Sequence, residues 1–184
     1  MADTQLTQYF VAASMDGYIA TEDDDLSWLL QFDGVDEAED ANPYDAFIGD
    51  VGALAMGATT YEWILAHDDG PWAYGDRPTW VFAHRQLPSV EGAVLRFTQG
   101  DVRTEHRRML AEAGGKNVWV VGGGDLAGQF MDAGLLDEVW LTITPVTLGR
   151  GAPLLPRRRT TPMTLVSATP APNGTFVHLR YRLH

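Results

Sequence analysis

The chain has 184 residues, of which 45% are hydrophobic, 10% aromatic and 21% charged, the profile of a globular protein with material for one ordinary domain. It contains no cysteine, which excludes disulfides, thiolate metal sites and cysteine nucleophiles, and no apolar run long enough for a membrane span. The net charge of −12 is unevenly placed: Met1–Asp76 holds 17 acids and no Lys or Arg, and Arg77–His184 holds 8 acids and 13 bases. Such a chain lacks the basic face that nucleic-acid binding needs. The N-terminus has no basic n-region or apolar h-region, so no secretory signal is read and a cytoplasmic location is expected.

In chain order, short runs rich in Val, Trp, Phe, Leu and Thr alternate with helical stretches. A strand at Leu6–Ala13 is followed by a helix that Asn42 caps and Pro43 starts, running through Asp50. After a strand at Gly52–Met56, Thr59 and Glu62 form a capping box that opens a helix towards His67. Strands at Thr79–Ala83 and Val94–Phe97 lead to a helix at Val102–Ala113, ended by Gly114 and Gly115. A strand at Asn117–Val121 precedes a helix capped by Asp125 and ended at Gly134. Strands at Glu138–Thr144, Met163–Ala168 and Thr175–Leu183 complete the chain. The alternation predicts one α/β domain over residues 1–184, with a mainly parallel sheet and helices on both faces. The turn Pro170–Gly174 leaves no room for a helix and makes the last two strands an antiparallel hairpin. The six tryptophans read as core, mostly in strands.

Two strand–turn–helix junctions carry the chemistry. In Val118–Asp125, glycines at 122, 123 and 124 remove the Cβ atoms that would keep a phosphate from backbone N–H groups at a helix start. In Ala53–Thr60, the turn Gly57-Ala58 meets the hydroxyls of Thr59 and Thr60 at a second helix start. Each alone also reads as an ordinary tight turn or cap; two in one sheet can hold a pyrophosphate between them without a basic side chain. Arg157-Arg158-Arg159 reads as a solvated turn. His67-Asp68-Asp69 would need further ligands to hold a metal, and no metal is expected.

Four ordered motifs resemble the dihydrofolate reductase-like family, and within it the stand-alone relatives of the reductase domain of bifunctional riboflavin-biosynthesis deaminase-reductases. They are Ser14-Met15-Asp16-Gly17-Tyr18-Ile19-Ala20, Met56-Gly57-Ala58-Thr59-Thr60-Tyr61-Glu62, Val121-Gly122-Gly123-Gly124, and Asp137–Leu141 followed by Pro145–Leu154. The resemblance implies a three-layer fold with an eight-stranded, mostly parallel sheet and an antiparallel C-terminal hairpin. It implies an NADPH-dependent oxidoreductase acting on a small planar N-heterocycle, pterin-like or riboflavin-precursor-like, or a related C=N or C=O compound. The alternative is a non-catalytic nucleotide-binding or regulatory module on the same fold.

By the same resemblance, the nicotinamide lies against Ala12, Ile19 and Ala20. The pyrophosphate lies between Gly57, Thr59 and Thr60 on one side and Gly122, Gly123, Gly124, Asp125 and Leu126 on the other. A cis peptide often joins the first two glycines of the second turn. His84 and Arg85 fall where the family reads the adenosine 2′-phosphate. Ala58 replaces an arginine of the family pattern and Asp125 places an acid at a helix start, so NADH and a flavin stay open as alternatives. A carboxylate that orients the substrate is expected among Glu37, Glu39, Asp40 and Asp45; Asp45 is selected because it sits in the first helical turn beside Phe47. Trp28 and Thr142 are expected on the substrate side. The resemblance is also compatible with a homodimer, with Trp140, Leu141 and the 145–155 segment as its expected face.

Overall fold

The computed structural model describes residues 5–32 and 43–184. Its elements are β1 (Thr7–Ser14), β2 (Tyr18–Ala20), α1 (Ser27–Leu30), α2 (Pro43–Gly49), β3 (Val51–Gly57), α3 (Ala58–His67), β4 (Thr79–Phe82), β5 (Leu95–Thr98), α4 (Val102–Glu112), β6 (Asn117–Gly122), α5 (Gly124–Asp132), β7 (Glu138–Thr144), β8 (Ala152–Pro153), β9 (Thr164–Pro170) and β10 (Val177–Arg182). Eight strands form one sheet in the order β5-β4-β3-β6-β1-β7-β10-β9. All pairings from β5 across to β7 are parallel, and β10 runs antiparallel to both β7 and β9. This is the expected dihydrofolate reductase-like architecture, C-terminal hairpin included.

Alternation along the central strands divides the core in two. In β3, Ala53 and Ala55 face the layer of α4 and α5, packing with Val118, Val120, Met109 and Phe130. Leu54 and Met56 face the layer of α2 and α3, packing with Trp119, Val81, Phe47 and Tyr61. A parallel strand covered on both faces needs apolar residues at every position, which is why β3 reads as a continuous apolar run. Phe130 and Tyr61 are fully buried, and truncating a large aromatic at such a site costs about 3–5 kcal/mol.

Several expectations are corrected. The cap of α3 is Gly57, with no side-chain hydrogen bond, rather than Thr59. Gly123, not Asp125, caps α5; in both places the helix begins two residues earlier because the glycine turn leads straight into it. The two-residue to four-residue elements β2, β8 and α1 were too short to leave a periodic signal. Arg157 is not a solvated turn residue: its side chain is 24% exposed and pairs with Asp125 and Asp132. Three tryptophans lie in strands (Trp80, Trp119, Trp140), whereas Trp28 and Trp63 lie in α1 and α3. Asn42, Glu37, Glu39 and Asp40 lie outside the described residues.

Candidate functional site

The site begins with a clamp between the Ser14–Ala20 and Pro145–Leu154 motifs. The Asp16 carboxylate accepts hydrogen bonds from Ser14 Oγ at 2.6 Å, Leu148 N at 3.0 Å and Gly149 N at 2.7 Å. The Ser14 hydroxyl bond, helped by those two amides, holds its carboxyl below the usual range. Met15 N donates to Val146 O and Leu154 N to Gly17 O, and β2 pairs with β8. At Gly151, φ is +148° and a Cβ would stand 2.1 Å from Ala20 O, so only glycine fits this approach. The clamp sets Ile19 and Ala20 over the C-terminal ends of the central strands, where open α/β sheets bind ligands.

There the two glycine turns lie side by side. Met56 of β3 pairs with Gly122 of β6, and a Cβ on Gly57 would reach Gly122 O at 3.8 Å and Gly123 N at 3.9 Å. Gly57 and Gly123 are the N-caps of α3 and α5, and neither supplies a side-chain hydrogen bond to the helix. The first N–H groups of both helices are therefore left without a side-chain acceptor at their caps, beside the positive ends of two helix dipoles. Gly122 has φ +154° and its bond to Gly123 is cis, as the resemblance implied. On the inner side of the second turn, a Cβ on Gly124 would stand 2.2 Å from Pro153 O, so α5 starts hard against β8.

Together these elements border a cleft of about 960 Å³. Twelve expected residues line it: Ala12, Ile19, Ala20, Gly57, Thr59, Thr60, His84, Gly122, Gly123, Gly124, Asp125 and Leu126. Arg85 does not; its guanidinium lies on Glu62 in an exposed ion pair. Trp28 is buried in α1, and its neighbours Leu26 and Leu29 line the cleft in its place. Asp45 lies on the exposed surface of α2 and does not line it. Trp63, Tyr74, Gln99 and Asp101 line it without having been expected. Asp101 carried a signal, since it stands directly before the Val102 helix and its side chain accepts the Arg103 N–H as the N-cap. Burial pushes the Tyr74 phenol up, so it stays a neutral donor.

Thr142 does not line the cleft; its neighbour across the sheet, Ala12, does. The registers pair Ala12 with Thr142 and Thr142 with His178, so the three side chains share one face of the sheet. Thr142 Oγ1 and His178 Nδ1 share a hydrogen bond of 2.9 Å. Two rows back along the strands, Glu138 is fully buried and accepts from Arg180, Arg182, Gln8 and Trp140. Burial alone would raise its carboxyl, but the Arg180, Gln8 and Trp140 hydrogen bonds outweigh it and hold the group below the usual range. Arg180 also stacks on Trp140, 4.4 Å from the ring centre. This network anchors the aromatic group of Phe10, Phe47, Trp119 and Trp140, and Phe10 lines the cleft. At the start of α5, hydrogen bonds from Gln129 and then Arg157 lower the Asp125 carboxyl. The acid expected to oppose an anion thus shares the Arg157 guanidinium with Asp132.

Comparison with known proteins places this geometry. Residues 65–177 match the model of the RibD C-terminal domain family. The uncharacterized protein YwjB of Bacillus subtilis (strain 168) is 33% identical over 148 residues, covering 80% of this chain and 81% of that protein. A solved structure of a protein assigned to riboflavin biosynthesis in Shewanella sp. PV-4 superposes with a TM-score of 0.78 at 22% identity, over 98% of this chain and 100% of that one. Dihydrofolate reductase from Enterococcus faecalis, complexed with NADP(H) and RAB-propyl, superposes with a TM-score of 0.63 at 16% identity, over 97% of each chain. Among the described residues no helix is long and apolar enough to cross a membrane, and no group of His, Asp and Glu could hold a metal.

Proposed function

This chain belongs to the RibD C-terminal domain family, and on that premise we propose that it is a nicotinamide-dependent reductase of a small, planar, nitrogen-containing heterocycle or a related C=N or C=O compound. The observation that carries the reading is the pair of adjoining glycine-capped helix starts, Gly57–Thr60 and Gly123–Leu126, midway along an apolar cleft. Their backbone amides suit a pyrophosphate, which needs donors and a positive field rather than a cavity of its own. The resemblance implies NADPH, and the E. faecalis enzyme was solved with NADP(H); the two turns suit the pyrophosphate of NADPH and NADH alike.

A bound reduced nicotinamide supplies a hydride to the substrate. The chain's own part is alignment, exclusion of water and the proton. Ala12, Ile19 and Ala20 form the apolar wall against which a nicotinamide ring packs. Leu26, Leu29 and Phe10 form the wall of the substrate side, where Asp24 and the acidic first half of the chain favour a neutral or cationic heterocycle. The Thr142 hydroxyl orients the substrate and His178, hydrogen-bonded to it, holds the proton; an imidazole is the side chain suited to that exchange near neutral pH. The test is direct. Full-length protein is titrated with each dinucleotide by tryptophan fluorescence, and cofactor oxidation is then followed with a dihydropterin and with a ribosylaminopyrimidine. Micromolar binding and turnover of one of them is expected; binding of neither dinucleotide would overturn the reading.

A further inference from the structure

The far end of the cleft, opposite Ala12, is bordered by His84 and by Thr98–Asp101. Among the described lining residues there are three carboxylates, Asp24, Asp101 and Asp125, and no Lys or Arg. The arginines nearest in the chain to the lining segments are already matched: Arg85 by Glu62, Arg157 by Asp125 at 2.8 Å and Asp132 at 2.7 Å. The first residue of α3 is Ala58, which can offer no charge. Resting on the reductase reading above, we infer that this cleft selects the nicotinamide dinucleotide without a 2′-phosphate, NADH, over NADPH, and that Glu62 sets the preference by holding Arg85.

The argument is one of charge. The pyrophosphate is met by backbone donors at two helix starts. A 2′-phosphate would bring close to two further negative charges at neutral pH to an end that already holds the Asp101 carboxylate. Arg103, two residues after Asp101, donates to Ala133 O at 2.6 Å; Arg85, beside His84, is held by an exposed ion pair that is weak enough to be broken. Moving Arg85, however, leaves the Glu62 carboxylate uncompensated within a Debye length of the new dianion, so little net attraction results. An unphosphorylated ribose meets the opposite situation: a carboxylate such as Asp101 accepts a hydrogen bond from a ribose hydroxyl, the way acids recognise that sugar in other dinucleotide sites. One side chain thus favours the hydroxyl and disfavours the phosphate.

The test uses calorimetric titration of the full chain with NADH and NADPH, for the wild type, Glu62→Gln and Arg85→Ala. Wild type is expected to bind NADH at least tenfold more tightly than NADPH. Glu62→Gln, which frees the guanidinium while removing the opposing charge, should tighten NADPH about tenfold and leave NADH within twofold. Arg85→Ala should change neither by more than about twofold. Glu62 and Arg85 are exposed, and unchanged thermal unfolding of both variants would show that the fold is intact. NADPH binding as tightly as NADH in the wild type, or no response of NADPH to Glu62→Gln, would overturn the inference while leaving the reductase reading in place. Failure of both dinucleotides would overturn the reading itself.

Discussion

Replacing Gly124 with alanine tests whether the contact between α5 and β8 positions the site. In an unobstructed helix this change stabilises by about 0.5–1 kcal/mol, because alanine loses less backbone entropy on folding. Here the added methyl would stand 2.2 Å from Pro153 O and 2.6 Å from Leu154 O, where ordinary contact begins near 3.4 Å. Backbone must therefore move by roughly 1 Å, at an overpacking cost of about 1–3 kcal/mol. Since β8 is paired to β2, the shift goes either into the Gly123–Leu126 turn or into Ile19 and Ala20. With each kcal/mol moving the midpoint about 2–4 °C in a chain of this size, Gly124→Ala should lower Tm by about 2–12 °C. Dinucleotide affinity should fall at least about tenfold, given how sharply catalytic sites respond to a displacement of 1 Å. Gly128→Ala, four residues on in the same helix, is the control. Its methyl would meet Arg157 Cγ at 2.8 Å, a side chain held by two ion pairs rather than backbone, so Tm should fall less than for Gly124→Ala. Differential scanning calorimetry and fluorescence titration read both quantities. A Gly124→Ala variant with wild-type Tm and wild-type affinity would refute the reasoning, because β8 would then yield freely.

Three further outcomes are expected. Glu138→Gln should destabilise by about 3 kcal/mol, the low end for breaking a buried pair because Arg180 is 29% and Arg182 52% exposed. Since the folded carboxyl is held below its ordinary range, that contribution is present above the unfolded pKa and is lost as pH falls through the folded one; urea unfolding should show the gap between wild type and variant narrowing in acid, and a constant gap would contradict the assignment. Thr142→Val and His178→Asn should each lower kcat/KM at least about tenfold, with the dinucleotide Kd unchanged, if they orient the substrate and hold the proton; a loss confined to dinucleotide affinity would contradict their role. Asp45→Asn should leave kcat/KM within about threefold, since an exposed acid in a first helical turn contributes chiefly through the helix dipole; a larger loss, with His178→Asn silent, would make Asp45 the proton-handling group.

The strands of the main sheet were legible because residues buried on both faces leave continuous apolar runs, as Ala53–Met56 and Val118–Val121 do. Glycine made the two turns readable: only Gly fits at Gly122, with φ +154°, and at Gly151, where a Cβ would meet Ala20 O. Helix caps were misread because a hydroxyl or carboxylate near a helix start is a strong local signal. The chain passes directly from strand through glycine into helix, leaving Thr59 and Asp125 inside it. Pairings between distant segments were beyond local reading. Nothing near Arg85 indicates that Glu62, 23 residues earlier, holds it, and nothing near Arg157 indicates Asp125 and Asp132. The same holds on the substrate side, where sheet register alone brings His178 to Thr142. Ion-pair partners and cross-strand neighbours are consequences of topology, so the site's backbone half was read from sequence and its side-chain half was not.

A crystal structure of the full chain with a nicotinamide dinucleotide tests the central claim most directly. The account predicts the pyrophosphate between the amides of Ala58–Thr60 and Gly124–Leu126, the nicotinamide ring against Ala12 and Ile19, and the adenosine ribose towards His84 and Asp101. A dinucleotide bound elsewhere, or a cleft that stays empty at saturating concentration, would contradict it.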